Sequence, residues 1–95
     1  MTDRAVTAEE ARARRNALAE ILLHAVLASG VTERGYPAPV PVTVEVLGAR
    51  RWLTANPIAD LYFRLLDIDP EAAGERLRRT WAKGAAAHGG CTQHG

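Results

Sequence analysis

Cysteine is almost missing from this 95-residue chain, where Cys91 stands alone. No internal disulfide can form, which suits a reducing compartment and leaves packing to hold the fold. Aromatic residues are also scarce, at two Trp, two Tyr and one Phe, so Leu, Val, Ile and Ala must form the core. A core of that kind in so small a domain gains from pairing with a second copy, and a homo-oligomer is expected. Charge of one sign is missing too: 12 Lys and Arg face 11 Asp and Glu, for a net of +1. That balance excludes a polycationic nucleic-acid binder, so any affinity for DNA must come from a local patch. Long hydrophobic runs are absent. The most apolar window, "ILLHAVLA" at 21–28, falls far short of the roughly 20 residues that span a bilayer. Asp3, Arg4, Glu9 and Glu10 precede any apolar run, unlike a secretory leader. A soluble, cytoplasmic protein without a membrane partner is the expectation. No phosphate loop, dinucleotide fingerprint or Ser-His-Asp arrangement occurs, so neither enzyme chemistry nor a cofactor is expected.

What is present reads as mainly helical. Thr7 followed by Glu10 is a capping box that opens a long helix over 8–29, and Gly30 is its stop. Its first half is polar and carries Arg12, Arg14 and Arg15, while Leu18, Ile21, Leu22, Ala25 and Val26 form an apolar stripe widened by Leu23 and Leu27. The Pro- and Gly-rich residues 31–41 form a connector. At 40–46, "VPVTVEV" alternates, with Val40, Val42, Val44 and Val46 on one face, which predicts an extended arm or edge strand. A short helix follows at 49–55, and Asn56-Pro57 starts another, with Ile58, Leu61, Tyr62 and Leu65 at amphipathic spacing. Asp69-Pro70 repeats that start signal for a last helix over about 70–83. One domain over 1–83 with a flexible tail over 84–95 is expected.

The three short helices from 49 to 83 have the outline of a tri-helical, helix-turn-helix-like unit. On the last helix, Ala73, Leu77 and Trp81 fall together with Thr80 beside them and should face the core. Arg76, Arg79 and Lys83 line one flank, the placement that phosphate contact needs. Arg50, Arg51 and Arg64 extend the patch if they share its side. Against this, the N-terminal turns that usually read bases carry Asp69, Glu71 and Glu75. The turn position that favours glycine holds Asp67, and Phe63 stands where a small residue is usual.

The run "RRWLTANPIADLYFRLLDIDPEAAGERLRRTW", from Arg50 to Trp81, resembles a segment of short proteins from tailed phages and prophages. The shared pattern is a Trp-Leu pair (Trp52, Leu53), an apolar helix, a Leu-Gly-Leu-Asp-Pro-like turn (Leu66 to Pro70) and an Arg-rich helix (Arg76 to Arg79). It covers about a third of the chain. Some such proteins are similar to small terminase subunits, which recognise viral DNA and assemble as rings for packaging. The resemblance implies a non-enzymatic protein that binds double-stranded DNA as an oligomer, in packaging recognition or regulation. The alternative is a small phage protein that inhibits or caps a larger host or viral machine, as an anti-CRISPR-type inhibitor or assembly adaptor does. An unpaired valine strand would favour that reading.

The remaining constellations have plainer explanations. His88, Cys91 and His94 offer three ligands where zinc normally takes four, in glycine-rich surroundings, and no metal is expected. His24 lies in the apolar end of the first helix and reads as a packing or interface residue. Asp67 and Asp69 flank a turn, where capping explains them. Subunit contacts are expected from Leu18, Ile21, Leu22 and Val26, from Val42 and Val44, and from Trp52 as a partly exposed anchor.

Overall fold

The computed structural model describes the backbone over residues 7–94 and side chains over 7–85. Helix α1 (Ala8–Ala28) starts on the expected capping box: Thr7 Oγ1 accepts from the Glu10 amide at 3.1 Å, and the Thr7 amide donates to Glu10 Oε1 at 3.1 Å. The helix ends at Ser29, and Gly30 takes φ +96°. The Gly30 and Val31 amides turn back to the carbonyls of Leu27 and Val26, the hydrogen-bond pattern that satisfies a helix C-terminus.

Residues 32–36 form a tight loop closed by the Thr32 amide donating to Tyr36 O at 2.8 Å, and an isolated bridge pairs Val31 with Pro37. Among the described residues there is no strand. The alternating valines are split instead. Residues 38–43 join no strand, the Ala38 amide donating to Gly30 O at 2.8 Å and the Val40 amide to Ala38 O at 2.9 Å, and helix α2 (Val44–Ala55) begins inside the segment expected to be a strand. Thr43 caps it, its Oγ1 accepting from the Val46 amide at 3.2 Å, and Glu45 sits in the first turn, where the helix dipole favours an acid. A lone strand would leave its ladder of amides and carbonyls unpaired, whereas a helix satisfies most of its own. At about 100° per residue, positions two apart point to opposite sides. Val46 is accordingly buried while Val44 is 82% exposed.

Helix α3 (Pro57–Leu65) and helix α4 (Pro70–His94) open on the two Asx-Pro signals. Asn56 Oδ1 accepts from the Ile58 amide at 2.8 Å, and Asp69 Oδ1 from the Glu71 amide at 3.1 Å. The sequence placed the end of α4 near Lys83, but it continues to His94. Helices α2 and α3 pack together, and each also contacts both α1 and α4. Leu22, Leu53, Ala59 and Phe63 form the buried centre, with Trp52, Leu77 and Trp81 packed around it. No helix among the described residues is long and apolar enough to cross a membrane.

Candidate nucleic-acid interface

The corner between α3 and α4 is set by one residue. Asp67 takes φ +62°, a conformation in which Asp and Asn are the best tolerated after glycine. The Asp67 amide then reaches Arg64 O at 3.0 Å and the Ile68 amide reaches Phe63 O at 2.8 Å, closing the end of α3. Arg15, fifty residues away on α1, completes this corner. Its guanidinium lies 3.4 Å from Asp67 Oδ2 and 3.5 Å from the carbonyls of Leu65 and Leu66. A cation at a helix C-terminus complements the dipole. The position usually held by glycine is thus occupied by an aspartate with its own charge partner. Phe63, in the place of the usual small residue, is buried in the core.

On α4, Ala73, Leu77, Thr80 and Trp81 are half-buried and Gly74 is buried. Arg76, Arg79 and Lys83 are exposed on one flank. Arg79 reaches Glu75 Oε1 at 3.7 Å with both side chains 73% exposed, a contact that solvent screens almost fully. Arg76 and Lys83 have no ion-pair partner among the described residues. Asp69 before the helix and Glu71 and Glu75 in its first two turns make the start of α4 acidic, and the cations follow from Arg76 to Lys83. Phosphate, were it to contact this helix, would meet cations only over that stretch, because the acidic first turns repel it.

The other three arginines do not join this flank as a set. Arg50 is drawn into the fold. Its Nε donates to Ser29 O at 2.9 Å, and its guanidinium lies 5.0 Å from the centroid of the Trp81 ring. Trp81 Nε1 in turn donates to Ser29 Oγ at 3.1 Å, and that hydroxyl donates to Val26 O at 2.6 Å. Ser29 is fully buried and fully satisfied, and ties the C-terminal end of α1 to the middles of α2 and α4. Arg64 pairs with Asp60 at 2.8 Å. That hydrogen bond and the Asp60 charge raise its pKa above the ordinary guanidinium value, so it stays cationic throughout. Arg51 is exposed on the outer side of α2, beside Val44, Leu47 and Gly48.

The residues expected at a subunit contact also divide. Leu22 and Val26 are taken up by the chain's own core, and Trp52 stacks edge-on against Tyr62 with ring centres 6.3 Å apart. Leu18 is half-buried, while Ile21, Val42 and Val44 are exposed. His24 is exposed on α1. The side chains of His88, Cys91 and His94 lie outside the described residues, among which no group of three or more His, Cys, Asp or Glu could hold a metal.

Three features escaped the sequence reading. Ser29 and Arg15 join partners about fifty residues apart, and no local pattern marks such pairs. The third is a groove of about 490 Å³ between the extended arm and α4, lined by Pro37, Val40, Pro41, Val42 and Trp81 among others. Gly84 forms part of it, and a Cβ there would stand 3.1 Å from Pro37 Cβ, so a side chain would push the arm back by a few tenths of an ångström.

Compared with known proteins, the chain matches no family model, no curated protein and no solved structure.

Proposed function

We propose that this chain is a non-enzymatic DNA-binding protein of the tailed-phage type, acting as an oligomer in packaging recognition, as small terminase subunits do, or in regulation. The observation that carries the reading is the α3–α4 corner. A left-handed turn at Asp67 joins the two helices, and α4 leaves Arg76, Arg79 and Lys83 open along one flank. Three cations spaced over two turns match backbone contact on a duplex, and the acidic start of α4 directs the contact to the stretch from Arg76 to Lys83. Binding is therefore mostly to phosphate, with little direct reading of bases.

Fluorescence anisotropy of a labelled duplex across a salt series tests it. Three neutralised phosphates give a log-affinity against log-salt slope of roughly −3 per chain. The double variant Arg76→Glu, Arg79→Glu should abolish binding while leaving the circular dichroism spectrum intact. Absence of binding by the unaltered chain at the lowest salt would end this reading.

A second reading is favoured by the groove under the arm. Its Pro, Val and Trp lining suits an apolar segment of a protein partner, as an inhibitor or adaptor on a larger machine would use.

A further inference from the structure

We infer that the outer face of α3 docks a second copy of this chain, the two α3 helices running antiparallel about a twofold axis near Leu61 and Tyr62. The inference rests on the oligomeric part of the proposed function and names the face responsible.

Helix α3 is apolar on both sides. Ala59 and Phe63 point into the core, yet Ile58, Leu61 and Leu65 on the other side are each 51% exposed, and Ile68 just beyond the helix is 42% exposed. At about 100° per residue, Ile58, Leu61 and Leu65 share an arc of roughly 60°, nearly opposite the buried pair. A helix that is hydrophobic all round is normally covered all round. Beside this stripe, Tyr62 is held in place by its edge-on contact with Trp52, which gives the face a rigid border.

The charges select the occupant. The only ionisable side chains on α3 besides Tyr62 are Asp60 and Arg64, bound to each other at 2.8 Å along one edge of the stripe. Nucleic acid finds no surplus cation here, because the charges of Asp69 and Glu71 also act on Arg64. A face with one charge of each sign complements itself. Antiparallel pairing sets Asp60 of one copy against Arg64 of the other, and Ile58 of one against Leu65 of the other. The apolar pair is centred between Leu61 and Tyr62 and the ionic pair on Tyr62, half a residue apart, so one axis satisfies both contacts to within about 1 Å, as an isologous interface requires.

Sedimentation equilibrium of the full chain and its variants tests this, with circular dichroism confirming that each variant folds. The unaltered chain is expected to be a dimer or a multiple of one. Leu61→Glu, Asp60→Arg and Arg64→Asp should each weaken association by at least about tenfold. Mixing the Asp60→Arg chain with the Arg64→Asp chain should restore the dimer, because a doubly basic face then meets a doubly acidic one. An ion pair confined within one helix cannot be restored by mixing. A chain that is monomeric at roughly 100 μM, an association untouched by Leu61→Glu, or a mixture that stays monomeric would each overturn the inference. The DNA reading is judged separately: a dimer that binds no duplex upholds this interface and removes the DNA role, while a DNA-binding monomer does the reverse.

Discussion

Arg50 offers the sharpest division between structure and function, because Lys is an adequate substitute in one role and a poor one in the other. A phosphate accepts a lysine as a point charge, but the position under Trp81 uses the flat guanidinium and its Nε–H. The Nε bond to Ser29 O, at 2.9 Å, caps the C-terminal end of α1. A hydrogen bond from a charged donor contributes about 1.5–3 kcal/mol, and the stacking on Trp81 about 0.5–2 kcal/mol. An ammonium recovers part of either contact but not both together, so Arg50→Lys should cost about 1–2 kcal/mol. In a domain of this size that lowers Tm by roughly 5–15 °C. The assay is thermal and urea unfolding followed by circular dichroism, with an unchanged m-value, beside the duplex titration on the same sample. The expected outcome is a lower Tm with DNA affinity unchanged well below the melt. A variant that melts with the unaltered protein while its DNA affinity falls would refute this assignment and return Arg50 to the DNA-facing set.

Other substitutions probe the fold on which the proposals stand. At Gly74 a Cβ would meet Arg78 Nη1 at 3.5 Å and Thr54 Cγ2 at 3.8 Å, ordinary contacts. Gly74→Ala should therefore raise stability by about 0.5–1 kcal/mol through helix propensity, and a lower urea midpoint would contradict the spacing of α2 and α4. Phe63→Ala should remove about 3–5 kcal/mol of a total stability of about 5–14 kcal/mol, lowering Tm by roughly 12–40 °C. Retention of a sharp transition near the original Tm would mean that Phe63 is not central to the core. Thr43→Ala should cost about 1 kcal/mol with some loss of helical signal, and Thr43→Asn should cost far less. Equal effects of the two changes would argue against a helix start at this residue.

Local chemistry was the most legible part of the chain. Thr7 with Glu10, Asn56 with Pro57, Asp69 with Pro70, and Gly30 each mark a helix end by hydrogen bonds that reach no farther than a few residues. Such signals act before any tertiary contact exists, so the starts of α1, α3 and α4 could be placed from sequence. The same logic, applied to Thr43 and Glu45, also marks the start of α2. There the alternating valines give a competing pattern, whose period of two points to a strand that the helix overrides. The glycines after Lys83 similarly suggested an earlier stop for α4 than the one observed.

The sequence by itself determined the helical class and most helix starts, because caps, prolines and dipole-matched acids act within one turn. Tertiary structure decided which faces were used. Helix α3 is apolar on both sides, so its pattern could not say that Ala59 and Phe63 face inward while Ile58, Leu61 and Leu65 face out. It also decided the fate of each arginine. Arg15, Arg50, Arg64 and Arg76 are alike in sequence. One caps a neighbouring helix, one lies under a tryptophan, one pairs with an aspartate and one remains open. A charge is assigned its role by whatever lies within a few ångströms of it, and that is fixed only when distant segments meet.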